Sequence, residues 1–104
     1  VRQVTVEEAH VLLSSGARLQ LVDCRQEWEH RICHLPGDKL LPLGELADRT
    51  EELDLAVPVL VYCHHGIRSI NAAVYLESIG FSAMSMHGGI DAWSLRIDPA
   101  VPRY

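Results

Sequence analysis

Val59-Leu60-Val61-Tyr62-Cys63-His64-His65-Gly66-Ile67-Arg68-Ser69 is the stretch on which the fold turns. Its first half, with Pro58, is an unbroken valine-rich apolar run, the pattern of a strand buried on both faces of a parallel sheet. A tight loop opened by Cys63 follows, then a helix start. A thiol at that junction faces backbone N–H groups and a positive helix end, a setting that lowers a cysteine pKa and favours the nucleophilic thiolate.

Working outward, strands and helices alternate. Arg2–Val4 is long enough only for an edge strand. Thr5 and Glu8 form a capping box for a helix through about Ser14, with Val6, Ala9, Leu12 and Leu13 on its apolar face. Leu19–Asp23 reads as a strand ending in a carboxylate, and Gln26–Arg31 as a short polar helix anchored by Trp28. Pro36-Gly37 marks a turn, and Leu40–Leu41 a short strand stopped by Pro42. Leu43, Leu46, Ala47, Thr50 and Leu53 share one face of an expected helix. Beyond the loop, Arg68–Ile79 is apolar nearly all round and is expected to be a central helix ended by Gly80. Ala83–Met86 is a further strand, and Gly88–Leu95 a last helix around Trp93. This alternation predicts an α/β fold with a mostly parallel sheet, whose sites form outside the carboxyl ends of the strands. Asp23 and Cys63 both fall at such ends.

The 104 residues fit one domain, 1–104, with a single core. A formal net charge of −5, with acidic residues gathered at Glu45–Asp54, argues against nucleic acid as a partner. That acidic run reads as a solvated helix face. No leader or membrane span is visible, so no membrane partner is expected. Three cysteines (Cys24, Cys33 and Cys63) do not make a disulfide framework, and a reducing cytoplasm fits them better. Cys24 is expected to point into the core, on the face opposite Asp23. A resolving role for Cys24 or Cys33 is the lesser reading.

The loop itself carries the chemistry. Gly66 allows the sharp turn that aims successive N–H groups inward as an anion-binding nest, and Arg68 adds a permanent positive charge. Four residues separate Cys63 from Arg68, where the loop of cysteine phosphatases has five. The shorter cradle suits a single sulfur atom on the cysteine better than a phosphoryl group, and a phosphatase becomes a distant alternative.

Four motifs in order resemble the rhodanese-like sulfurtransferase family over essentially the whole chain. They are Leu21-Val22-Asp23-Cys24-Arg25 before Glu27 and Glu29, His34-Leu35-Pro36-Gly37, Cys63 to Ser69, and His87-Gly88-Gly89-Ile90-Asp91-Ala92-Trp93. Cys33 departs from the glycine that the family often has before this histidine, and is read as a packing residue. The ending Asp98–Tyr104 is similar to rhodanese domains fused behind adenylyltransferases of molybdopterin and thiamin synthesis, and to some free-standing relatives.

The resemblance implies a five-stranded parallel sheet flanked by helices on both faces, with Cys63 as the sulfur carrier. The loop of His64, His65, Gly66, Ile67 and Arg68 would hold the persulfide, supported by Asp23, Arg25 and Ser69. The donor would be thiosulfate, a small thiol persulfide or a protein persulfide of the cysteine-desulfurase kind. A ubiquitin-like sulfur carrier is a possible acceptor. Neutral His64 and His65 make a weak dianion trap, which favours a persulfide over thiosulfate. Such a mechanism needs no metal or organic cofactor, and the six histidines and three cysteines lack the usual paired spacings of the alternative, a zinc site. His30 and His34 are four apart, but the nearby Pro-Gly turn argues against one helix carrying both. The competing function is a catalytically quiet binding module that docks through the acidic face.

Overall fold

The computed structural model describes all residues 1–104. Five strands, β1 (Arg2–Val4), β2 (Gln20–Asp23), β3 (Lys39–Leu40), β4 (Val59–Tyr62) and β5 (Ala83–Met86), form one parallel sheet in the order β1-β5-β4-β2-β3. Four helices cover it: α1 (Val6–Ser14), α2 (Glu27–Ile32), α3 (Arg68–Ser78) and α4 (Gly89–Arg96). β4 is central, and every one of its side chains is buried, as its unbroken apolar run requires. Alternation along the strands divides the core in two. Val22, Val59 and Val61 pack with Ala72, Ala73 and Leu76 of α3 on one face. Leu21, Leu60 and Tyr62 pack with α1 and α4 on the other, around Ala9, Ile90 and Trp93.

Three expectations are corrected. The segment after Pro42 is not one helix but two 3-10 turns, Leu43–Asp48 and Thr50–Glu52. Gly44, Asp48 and Thr50 are poor helix formers, and the tighter 3-10 winding advances further per residue, spanning the route back to β4. The acidic residues there are solvent-facing as expected, with Arg49 paired to Glu45 and Glu52. Trp28 does not anchor α2: it is 59% exposed, and Glu29 is the buried residue of that helix. Nor is α3 central on every side, for Asn71, Val74 and Glu77 face solvent while Ser69, Ala72, Ala73 and Leu76 are buried.

Candidate active site

Cys63 leaves the end of β4 with its thiol buried beneath the following loop. Its Sγ accepts the backbone N–H of Gly66 at 3.1 Å and of Ser69 at 3.3 Å, with the Ser69 hydroxyl at 3.4 Å. That hydroxyl is 2.7 Å from Ser85 Oγ on β5. Helix α3 begins after Ile67, which has no side chain able to cap it. The sulfur of Cys63 fills the place of an N-cap oxygen by binding an N–H of the first turn. An anion is favoured there by the helix dipole. The Cys63 pKa accordingly falls from its ordinary value to about 5. A hydrogen bond from the Cys24 thiol is the largest cause, burial opposes it, and the Ser69 and Gly66 donors add to it.

Two glycines shape the cradle. Gly66 has φ +98°, and a Cβ there would stand 2.9 Å from Gly88 N. Gly89, at φ +62°, lets the start of α4 approach so closely that a Cβ would lie 2.4 Å from the carbonyl oxygens of Cys63 and His64. Those two carbonyls accept N–H groups of α4, from Ile90 at 2.9 Å and Asp91 at 3.1 Å. In a trans peptide the following N–H points the other way, so the His64 and His65 N–H groups are turned away from α4.

Arg68 is held by Glu29 through two bonds of 2.6 and 2.8 Å. Glu29 also accepts the Gln26 N–H at 3.1 Å and the Tyr104 hydroxyl at 2.7 Å. Its pKa drops to about 2, chiefly through Arg68, with burial opposing and Tyr104 assisting. Asp23 and Arg25 form a fully buried pair, with Arg25 Nε and Nη2 each 2.8 Å from the carboxylate. This pair was expected to brace the Cys63 loop. It does not touch the loop directly: Arg25 donates to Tyr104 Oη at 2.7 Å and to the Cys33 carbonyl. The Tyr104 ring then stacks on His64, 3.9 Å between centroids and 5° from parallel. His64 is therefore sandwiched between Tyr104 and His65. Burial, then the neighbouring His65, lowers the His64 pKa, and its Nε2 is buried with no partner. Ile67 is exposed at the mouth of the loop.

Cys24 does point into the core away from Asp23, but that face is the one that holds Cys63. Asp23 and Cys63 thus share a sheet edge and not a face. Sequence reasoning passed over Glu29 as the partner of Arg68, although its position three residues after Gln26 carried the capping signal. Tyr104 was missed too; an aromatic closing a proline-bounded tail was the available hint. Cys33 is a packing residue as expected, its thiol 3.3 Å from the Pro102 carbonyl.

Two groups bring possible metal ligands within 4.8 Å of one another, His30–His34–Asp38 and His64–His65–Asp91. The first joins two histidines that no continuous helix connects, since α2 stops at Ile32. Both histidine pairs are stacked, 3.9 Å between centroids and 10° and 26° from parallel. Imidazole lone pairs lie in the ring plane, so stacked rings do not aim at one ion. Asp38 is in addition engaged by Tyr62 Oη at 2.6 Å. No helix is long and apolar enough to cross a membrane.

Comparison with known proteins agrees with this architecture. The rhodanese-like domain model matches residues 5–96. The chain is 37% identical over 112 residues to the rhodanese-like/PpiC domain-containing protein 12, chloroplastic, of Arabidopsis thaliana; all of the chain but 38% of that protein is covered. It is 34% identical over 93 residues to thiosulfate sulfurtransferase GlpE of Pseudomonas fluorescens, covering 88% of the chain and 84% of GlpE. A probable adenylyltransferase/sulfurtransferase, MoeZ of Mycobacterium tuberculosis, is 33% identical over 104 residues, 97% of this chain and 26% of that protein. Among solved structures, a rhodanese-like domain protein from Staphylococcus aureus superposes with a TM-score of 0.87 at 26% identity, covering 100% and 99% of the two chains. A parallel five-stranded sheet flanked by helices, with the cysteine loop at its carboxyl edge, defines an α/β domain of the kind seen in this solved relative. The chain belongs to the rhodanese-like family.

Proposed function

We propose that this chain is a sulfurtransferase that carries sulfane sulfur as a persulfide on Cys63. The observation that carries the reading is the cradle around Cys63 Sγ, where the Gly66 and Ser69 N–H groups donate at 3.1 and 3.3 Å at the start of α3, a setting that lowers the thiol pKa and favours the thiolate. The thiolate attacks the outer sulfur of a donor persulfide; the donor S–S bond breaks and a thiolate leaves. A nucleophilic acceptor then attacks the outer sulfur now on Cys63, and the Cys63 thiolate departs. Two half-reactions of this kind give ping-pong kinetics. The backbone N–H groups of the loop and the α3 dipole hold the persulfide anion, and Arg68, fixed by Glu29, keeps positive charge beside it. Arg68 does not transfer protons, being always charged.

His64, with its pKa lowered by burial and by His65, brings no permanent charge to the loop. A mono-anionic thiol persulfide suits such a mouth better than the thiosulfate dianion. Kinship with GlpE, a thiosulfate sulfurtransferase, supports the reaction class, and kinship with MoeZ, a probable adenylyltransferase/sulfurtransferase, supports a protein partner in sulfur transfer. In Cys63→Ser both persulfide formation, read by mass spectrometry, and turnover fall to background. Turnover that survives in this variant refutes the assignment.

A further inference from the structure

The three cysteines are not equivalent. β2 and β4 pair in register from Gln20 with Val59 to Asp23 with Tyr62. The Cys24 N–H extends the ladder by donating to the Tyr62 carbonyl at 3.1 Å. In a parallel ladder that bond places Cys24 beside Cys63 on the next rung. Paired residues project from the same face, and both cysteines belong to one buried apolar cluster. Neighbouring strands lie about 4.8 Å apart, inside the Cα separation of about 4.4–6.8 Å that a disulfide spans. Cys33 lies in the cluster on the opposite face of the sheet. The site therefore holds a second thiol against the sulfur atom that the mechanism uses, and the transfer cycle asks nothing of it beyond a hydrogen bond to Cys63.

We propose that Cys24 is a resolving thiol that cleaves the Cys63 persulfide internally, releasing the carried sulfur as sulfide and leaving a Cys24–Cys63 disulfide. This rests on the carrier reading above. Cys24 Sγ attacks Cys63 Sγ; the bond from Cys63 to the outer sulfur breaks, and its electron pair leaves with that sulfur. The Cys24 proton goes with it, so persulfide anion plus thiol becomes disulfide plus HS⁻. The outer sulfur gains two electrons, and the two cysteine sulfurs together lose two. An external dithiol reductant must then reopen the disulfide. With an acceptor present the chain transfers sulfur, and without one it reduces the persulfide. In the resting enzyme the Cys24 thiol, its pKa pushed far up by its bond to Cys63 and by burial, stays protonated and supplies that proton.

The test loads the full chain with a small thiol persulfide, removes the excess and holds it without oxygen or acceptor. The wild-type protein should release about one equivalent of sulfide. Its intact mass should fall by two hydrogens below the reduced form, with Cys24 and Cys63 peptides cross-linked. Cys24→Ser and Cys24→Ala should keep the added sulfur at least about tenfold longer and release no sulfide. Serine keeps a hydrogen-bond donor, so a thiol that only tuned Cys63 would be replaced by it. A wild-type persulfide as long-lived as that of the serine variant, or sulfide release without the cross-link, overturns the inference and leaves the carrier reading intact. Failure of all three proteins to take up sulfur refutes both.

Discussion

The Cys63 loop and the Glu29–Tyr104 network lie against each other at the carboxyl edge of the sheet, and each holds an anion in its own way. At Cys63 the donors are mostly close in sequence: two backbone N–H groups three and six residues away, with one thiol from the neighbouring strand. At Glu29 only the Gln26 N–H is local, and the other donors are side chains from positions 39 and 75 residues distant. The first arrangement depends on loop length and on glycines at two places, and tolerates most side chains in between. The second depends on the identity of each partner and on a fold that has already brought them together. In the proposed cycle the negative charge moves between Cys63 Sγ and the outer sulfur, and a fixed backbone cradle serves both. A permanent carboxylate that positions Arg68 is served by side chains.

This contrast can be broken most sharply at the sulfur. Alkylation of Cys63 measured against pH should show a midpoint near 5, against about 8.5 for an ordinary thiol. The rate should rise as pH climbs through that midpoint and be flat by neutrality. A midpoint at the ordinary value would mean that the cradle does not hold an anion.

Next in size is Gly89→Ala. Its Cβ would press on the Cys63 and His64 carbonyls from 2.4 Å. Thermal unfolding should report a loss of about 3 kcal/mol, and the Cys63 midpoint should rise as the loop shifts. An unchanged melting temperature and midpoint would show that α4 does not shape the loop.

Glu29→Gln should cost about 2 kcal/mol at pH 7 by breaking the pair with Arg68. Because the folded-state pKa of Glu29 is depressed to about 2, its contribution is complete above about 4.5 and fades as pH falls towards 2. The difference between wild type and variant in chemical denaturation should shrink over that window. If the regions are as separate as their donors suggest, the Cys63 midpoint moves by less than about one unit; a larger shift means that they act as one. Smallest of all is Tyr104→Phe. It removes the hydroxyl shared by Arg25 and Glu29 and keeps the ring on His64. Chemical denaturation should show a loss of about 1 kcal/mol, with turnover close to wild type. A collapse of turnover would assign Tyr104 more than bracing.

The two regions also differed in how far they could be read from the sequence. Strand alternation, the capping box at Thr5 and the turn at Gly66 are local patterns, and the parallel sheet and cysteine loop followed from them. The segment 43–53 misled because its apolar spacing is compatible with both α and 3-10 winding, and only the route from β3 to β4 chooses between them. Trp28 misled in the opposite sense. A bulky aromatic on a short helix suggests burial, yet the buried position of α2 is taken by a carboxylate that caps the helix and binds Arg68.

The sequence by itself determined that a cysteine stands at the end of a buried strand, before a turn whose N–H groups point inward and a helix without a side-chain cap. Those are consequences of φ, ψ and hydropathy over a dozen residues. Only the tertiary structure decided that Cys24 lies against Cys63, that Asp23 braces Tyr104 through Arg25, and that Tyr104 covers His64. The physical reason is register: which residue of β2 stands opposite Cys63 is set by packing both faces of the sheet at once. A shift of one residue would have exchanged Cys24 for Asp23 beside the sulfur.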